Sequence, residues 1–151
     1  MCVSGLSKMH ELTAHKARPV RFRAWLWDGT EYRFLFQSFQ VESKRTSYTL
    51  RLADYNKSAS SSASAQCEGP ILSNSGQKFS TIDRNNNNHG RHCAQEFGGA
   101  GWWYEKCTNV SPNVEYCPSE SCGSNFKNIK VHCLKTAAYS MKRFQIDLFI
   151  E

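Results

Sequence analysis

Residues 76–107 read GQKFSTIDRNNNNHGRHCAQEFGGAGWWYEKC, and no other part of the chain says as much about its structure. The stretch joins an Asp/Asn-rich run to two cysteines that bracket a Trp-Trp-Tyr sequence. Asp83, Asn85 and Asn87 stand at alternate positions, as in loops that present side-chain oxygens to a hard cation such as calcium. The stretch therefore predicts a candidate cation loop beside a cysteine-bounded aromatic segment.

The Asp/Asn-rich run is not an EF-hand. That motif needs Gly at its sixth position and Glu at its twelfth, where this chain has Asn88 and Ala94. An alternative without a metal is an Asn-rich turn that satisfies its own side-chain hydrogen bonds.

The first third of the chain predicts a helix followed by a hairpin. Leu6, Met9 and Leu12 repeat at helical spacing ahead of Pro19, which ends any helix there. Over 20–27, apolar residues alternate with polar or indole-bearing ones, which predicts a strand. Asp28-Gly29 predicts a turn, and the Phe-rich residues 32–41 predict the second strand of the hairpin. Similar alternation over 48–52 and 144–148 predicts two further strands.

The remaining sequence is poor in periodicity. Residues 57–66 are nearly all Ser and Ala, which predicts a flexible loop. From residue 68 to 133, Gly, Asn, Ser and Pro predominate, so this half is expected to be loop-rich and held by disulfides. The 151 residues suit one domain, 1–151, and no run reaches the ~20 apolar residues of a membrane span.

Residues 79–107 resemble the fibrinogen C-terminal (fibrinogen-related) domain of fibrinogens, ficolins, tachylectins, angiopoietins and tenascins. The family's helix and hairpin resemble residues 6–41, which read LSKMHELTAHKARPVRFRAWLWDGTEYRFLFQSFQV. Its next strand resembles residues 47–55, which read SYTLRLADY. IKVHCLKTAAYSMKRFQIDL over 129–148 resembles the closing strands, with a typical YSMK segment. The resemblance covers nearly the whole chain but not the family's N-terminal subdomain.

The resemblance implies an α+β fold with a central antiparallel sheet, short helices and a loop-rich half that binds ligand and calcium. It also implies a disulfide between Cys93 and Cys107. In the family, calcium is held by two acidic side chains and two backbone carbonyls, which correspond here to Asn85 and Asn87 and to the carbonyls of His89 and Arg91. Both family aspartates are replaced by Asn, which removes the anions that attract calcium, the expected cofactor.

In lectin-like members, a pocket for acetyl groups lies around the second cysteine. The corresponding positions are Phe97, Lys106, Cys107, Thr108 and Phe126. A methyl group would pack between the Phe rings, and the acetyl oxygen would accept from backbone N–H groups. Thr108 replaces the family's His, and one extra residue precedes Trp102. Core packing is the alternative role for at least one tryptophan of the Trp-Trp pair.

Seven cysteines and two sequons, at Asn56 and Asn109, favour an extracellular setting. The N-terminal residues lack the features of a signal peptide, so we expect an N-terminally truncated domain of a secreted protein. The odd cysteine count predicts one cysteine without a partner in the chain, available for an intermolecular disulfide. Connectivity stays open for Cys2, Cys67, Cys117, Cys122 and Cys133: Cys117 and Cys122 could close a small loop, and Cys67 or Cys133 could pair with either.

The net charge of +6 comes from scattered lysines and arginines without a dense run, which argues against nucleic acid as a partner. No paired CxxC motifs suggest zinc, and no catalytic motif suggests an enzyme. The predicted function is non-catalytic recognition of glycans or acetylated surface groups, as in innate-immune lectins. The alternative is a protein–protein module of matrix or growth-factor type that binds a cell-surface receptor.

Overall fold

The protein folds around one antiparallel sheet. The computed structural model describes residues 3–123, 128–136 and 138–150. Its strands are β1 (Arg18–Trp25), β2 (Glu31–Val41), β3 (Leu50–Tyr55), β4 (Val110–Ser111), β5 (Lys130–Val131) and β6 (Arg143–Leu148). Four of them form a sheet in the order β3-β2-β1-β6, and β4 pairs with β5 separately. Each of these pairs is antiparallel.

The helices are short. Within the described residues they are α1 (Val3–Thr13), α2 (Glu68–Leu72) and α3 (Cys93–Glu96), with 3-10 helices at Lys44–Thr46 and Ser62–Cys67. None of these helices has the length and apolar character needed to cross a membrane. The predicted α+β class with a central antiparallel sheet is confirmed.

The β1–β2 hairpin follows the predicted alternation. Val20 and Phe22 lie opposite Phe36 and Phe34, and all four side chains are buried on one face of the sheet. Gly29 adopts a φ of +90° in the turn, a conformation that glycine accepts without steric penalty. Alternation with period two thus places one face of the hairpin in the core.

β6 joins this sheet from the far end of the sequence. Its Ile146 lies opposite Phe22 of β1. On the other face, the Asp147 carboxylate is 3.1 Å from the Arg21 guanidinium and 2.8 Å from that of Arg23. Arg21 and Asp147 are 126 residues apart in sequence, so this half-buried ion-pair cluster fixes a long-range register.

α1 packs against β2 through polar contacts as well as apolar ones. The Thr13 hydroxyl donates to the Met9 carbonyl at 2.8 Å and accepts from the Val41 N–H at 3.0 Å. His10 Nδ1 lies 2.8 Å from the Val41 carbonyl oxygen. These contacts hold the end of the helix against the end of β2.

Three disulfides hold the loop-rich half: Cys67–Cys133, Cys93–Cys107 and Cys117–Cys122. The pair implied by the family resemblance is therefore present. Of the pairings that sequence left open, Cys117 closes the small loop with Cys122, and Cys67 bonds Cys133 rather than either of those two. Cys2 lies outside the described residues.

Residues 57–66, predicted to be a flexible Ser/Ala loop, carry more local structure than that prediction implies. The Ser60 and Ser61 hydroxyls accept from the Leu35 and Arg33 N–H groups of β2, each at 2.9 Å. Short hydroxyl side chains can hydrogen-bond exposed backbone, which composition alone does not reveal. The first part of the segment therefore lies along β2; its mobility stays a prediction.

Gly101 is a point of close approach. A Cβ built at this position would come within 2.9 Å of the Phe79 ring, and both residues are buried. We expect Gly101→Ala to lower the free energy of unfolding by about 1–3 kcal/mol, because overpacking displaces the Phe79 ring. Chemical denaturation monitored by tryptophan fluorescence measures the change.

Gly90→Ala is the matched control, because a Cβ there meets nothing within 4 Å and Gly90 has no positive φ. A loss of stability equal in the two variants would contradict the packing explanation.

Candidate functional site

The Asp/Asn-rich residues 83–91, called here the Asn loop, are anchored to the segment that precedes them. The Asn86 N–H donates to the Ser80 hydroxyl at 3.0 Å, and the Asn86 amide donates to the Phe79 carbonyl at 2.7 Å. Thr81 and Arg84 also pair as an isolated antiparallel bridge. The Asn loop is therefore held by hydrogen bonds from its own side chains, as the alternative without a metal predicts.

The four residues predicted to hold calcium do come together. Asn87 Nδ2 donates to the Arg91 carbonyl at 3.0 Å and approaches the His89 carbonyl at 3.4 Å. Asn85 joins them because its Oδ1 accepts from the Asn87 N–H at 3.3 Å. The structure thus places the His89 and Arg91 carbonyls around the Asn87 side chain.

These residues do not fit a calcium ion as they are arranged, because the group that points at the two carbonyls is the Asn87 NH₂, a donor. Calcium needs an oxygen there, and its protein ligands are all oxygens. In the described part of the protein, no group of three or more His, Cys, Asp or Glu side chains offers another metal site.

Among the described residues, the Phe97 side of the predicted acetyl pocket is covered by neighbouring side chains. Phe97 is only 2% exposed, and its ring packs on Tyr104 with centroids 5.5 Å apart. The Lys130 ammonium lies 4.8 Å from the centroid of the Phe97 ring. An acetyl methyl would have to displace these neighbours to reach Phe97.

The polar groups predicted for that pocket are also engaged or turned outward. The Thr108 hydroxyl accepts from Asn74 Nδ2 and the Val110 N–H and donates to the Val110 carbonyl. Cys107 is buried in its disulfide and Lys106 is exposed. Phe126 lies outside the described residues. Within the described residues, Phe97 and Cys107 are therefore buried, and the Thr108 hydroxyl already has hydrogen-bond partners.

Lys130 belongs to this region although no sequence motif assigns it there. Its side chain is nearly buried against Phe97, and desolvation lowers its pKa. Lys130 lies in β5, far from Phe97 in sequence, so no local pattern connects the two residues.

An open cleft borders the Asn loop. Its volume is about 210 Å³, and it runs between α1, the turn after β2 and the first residues of the Asn loop. We call it the α1 cleft; it is lined by Leu6, Lys44, Ser47, Tyr48, Phe79, Thr81, Asp83, Arg84 and Asn86. Leu6 and Phe79 are buried and form an apolar floor.

The α1 cleft depends on an unusual turn. Ser47 and Tyr48 have φ angles of 55° and 53°, in the left-handed region that non-glycine residues seldom occupy. The Ser47 carbonyl accepts from the Phe79 N–H at 2.9 Å, and the Tyr48 carbonyl accepts from Trp103 Nε1 at 2.8 Å. Such strain is of order 1–3 kcal/mol per residue and persists where surrounding contacts impose it.

Charge is concentrated at the rim of the cleft. Lys44 and Arg84 are exposed cations, and Asp83 is an exposed anion between Ile82 and Arg84 in sequence. The Thr81 hydroxyl donates to Asp83 at 2.6 Å, and the hydrogen bonds of Asp83 hold its pKa below the usual value. The exposed Ile82 adds an apolar side chain close by.

Sequence reasoning missed the α1 cleft, since its residues come from three distant segments. Asp83 was recognised as the start of the Asn loop, but Leu6, Lys44 and Tyr48 carry no motif.

A known protein family matches nearly the whole sequence. The family described as the fibrinogen beta and gamma chains, C-terminal globular domain, matches residues 3–149. The fibrinogen beta subunit of Petromyzon marinus is 31% identical over 123 residues, which cover 74% of this chain and 26% of that protein. Human tenascin-R is 33% identical over 140 residues, covering 91% of this chain and 10% of tenascin-R. The chain thus spans about a quarter or less of these relatives.

Solved structures agree on the fold. The fibrinogen-like globe domain of human ANGPTL2 superposes with a TM-score of 0.83 at 22% identity, covering 96% of this chain and 63% of that one. The lamprey fibrin D-dimer, solved with the peptide Gly-His-Arg-Pro-amide, gives a TM-score of 0.81 at 21% identity, covering 96% of this chain and 49% of that one. On the family match, the sequence relatives and this shared fold, the protein belongs to the family of C-terminal globular domains found in the fibrinogen beta and gamma chains.

Proposed function

We propose that this domain is a non-catalytic extracellular recognition module whose partner is a protein, and that the α1 cleft is the binding site. The partner presents a segment that pairs an apolar side chain with an acidic one. The apolar group enters the cleft against Leu6 and Phe79, and the acidic group pairs with Lys44 or Arg84 at the rim.

The observation that carries the proposal is the composition of the open cleft. It has an apolar floor, polar side chains of Ser47, Thr81 and Asn86 in its lining, and two exposed cations against one exposed anion. Recognition sites commonly combine a mostly apolar surface with a few polar groups that fix orientation. Positive potential at the rim favours association with an acidic partner.

The rigidity of the cleft supports the same role. The Tyr48 hydroxyl lies 2.9 Å from the Ser7 hydroxyl of α1, and the Tyr48 carbonyl is bound to the Trp103 indole. The cleft wall is therefore ordered before a partner arrives, which reduces the entropy lost on binding.

The family supports protein recognition in general terms. Its relatives include the angiopoietins and tenascin-R, and the lamprey fibrin D-dimer was solved with a peptide ligand. Three disulfides in a small domain support an extracellular location.

Glycan or acetyl-group recognition is the second candidate, because Phe97 stands at the position expected for an acetyl pocket. The geometry supports it less well: the Phe97 ring is covered by Tyr104 and Lys130, and the Thr108 hydroxyl is already hydrogen-bonded. Acetyl binding would require these contacts to rearrange.

The cleft assignment predicts a charge-specific loss of binding. The oxidised domain is first screened against an array of secreted and cell-surface ectodomains. Its affinity for the ectodomain that it binds is then measured by surface plasmon resonance. We expect Arg84→Glu to weaken binding at least about tenfold, since reversing a rim charge turns attraction into repulsion.

Lys106→Glu is the control: it makes the same charge change at an exposed site of the predicted acetyl pocket. Equal loss in both variants, or loss only in Lys106→Glu, would place recognition elsewhere. Failure of the folded domain to bind any ectodomain would count against protein recognition.

Because Tyr104 and Lys130 cover the Phe97 ring, we expect that beads carrying N-acetylglucosamine do not retain the domain in an acetate-sensitive manner, with or without calcium. Capture is measured by elution with free acetate. The lectin function would instead be established by acetate-sensitive capture that is lost in Thr108→Ala or Phe97→Ala. Circular dichroism must show that the variant is still folded.

A further inference from the structure

Asn87 occupies the centre of the Asn loop with both ends of its side-chain amide engaged. Its Nδ2 faces the carbonyls of His89 and Arg91 at 3.4 and 3.0 Å, and its Oδ1 accepts from the Cys93 N–H at 3.3 Å. One planar amide therefore links two acceptors on one side to a donor on the other.

The neighbours fix which end of the amide points where. If the amide were reversed, Oδ1 would face two carbonyl oxygens, and Nδ2 would face the Cys93 N–H, so that acceptors would meet acceptors and a donor would meet a donor. Calcium binding through Asn87 Oδ1 requires that reversed orientation, because the ion must lie between Oδ1 and the two carbonyls. The Cys93 N–H would then lose its acceptor.

We propose that the Asn87 amide replaces a bound cation and closes the Asn loop without metal. The two carbonyl oxygens of His89 and Arg91 face the NH₂ hydrogens of Asn87 in place of a cation. This inference does not depend on the proposed function, since it concerns how the loop is held rather than what it binds.

Aspartate and asparagine would differ by one group at this position. An aspartate at position 87 could accept from the Cys93 N–H with one oxygen, but its second oxygen would face the His89 and Arg91 carbonyls. Three acceptors would then surround one point, an arrangement that is stable only with a cation between them. Asparagine carries the donor itself, so the same backbone geometry is satisfied by the protein alone.

The replacement also has a structural consequence beyond the Asn loop. Cys93 begins α3 and is bonded to Cys107. Because Asn87 Oδ1 holds the Cys93 N–H, the amide positions the start of the Cys93–Cys107 segment. That segment should keep its conformation when divalent cations are removed.

The test compares thermal unfolding of the oxidised domain in excess calcium and in EDTA. For the wild type we expect midpoints that agree within about 1 °C, because a ligand that does not bind the native state does not stabilise it. For Asn87→Asp we expect the midpoint in EDTA to fall by roughly 3–8 °C, with calcium restoring most of the loss.

Asn88→Asp is the matched control, since it adds the same charge to the same loop at an exposed residue. Its midpoint should stay near the wild-type value in both buffers. In calorimetric titration, the double variant Asn85→Asp/Asn87→Asp should bind calcium at concentrations where the wild type gives no binding signal, because two carboxylates restore the ligand charge that calcium requires.

Two results would overturn the proposal. One is a wild-type midpoint that rises clearly with calcium, and the other is an Asn87→Asp variant as stable as the wild type in EDTA. If the variants fail to fold, terbium luminescence of the wild type is measured instead. Terbium emission that tryptophan sensitises and that calcium abolishes would overturn the proposal. The absence of such emission would support it.

Discussion

The packing of Trp103 is the interaction on which the rest of the structure depends. Its indole is 1% exposed, and its ring makes edge contacts with Phe79 and Trp102, each with centroids 5.2 Å apart. Its Nε1 donates to the Tyr48 carbonyl and its own carbonyl accepts from Asn74 Nδ2. Burial of a large aromatic side chain supplies much of the driving force in a small core, and a satisfied indole N–H removes the polar penalty. Trp103 belongs to one buried cluster that also contains strand residues such as Phe22 and Leu52, so the sheet half and the loop half share one core.

This arrangement explains how a protein with little secondary structure beyond its sheet keeps an ordered surface. Backbone groups in loops need partners, and here side-chain amides supply many of them. Asn74 donates to Trp103 and Thr108, Asn86 to Phe79, and Asn113 to the Gly101 carbonyl at 2.9 Å. Disulfides limit the unfolded ensemble, and the amides specify the folded loop geometry. Asparagine in this protein is therefore a structural residue of the loops as much as a candidate ligand.

The sequence predicted the elements that repeat with a regular period and the parts that resemble the family. Alternation in Val20, Phe22 and Ala24 identifies a strand because its consequence, burial of one face, is local. The same reasoning could not show that Phe97 is covered by Lys130, because β5 approaches it only in the folded protein. Nor could it find the α1 cleft, which arises where Leu6 and Tyr48 meet Phe79. For the Asn loop, the sequence named residues that do lie close together, but only the structure shows which end of the Asn87 amide faces the His89 and Arg91 carbonyls.

The position of β6 has a consequence for how the protein is made. β1 lies between β2 and β6, so half of its hydrogen-bonding groups find partners only in a segment synthesised much later. During translation, the β1–β2 hairpin emerges before β6 with one edge of β1 open, and open strand edges pair readily with other polypeptides. Contacts between segments so far apart also slow folding, since the intervening residues must be closed into a loop first. The nascent polypeptide therefore passes through an interval in which its first strands require protection from aggregation, and that interval ends when β6 leaves the ribosome.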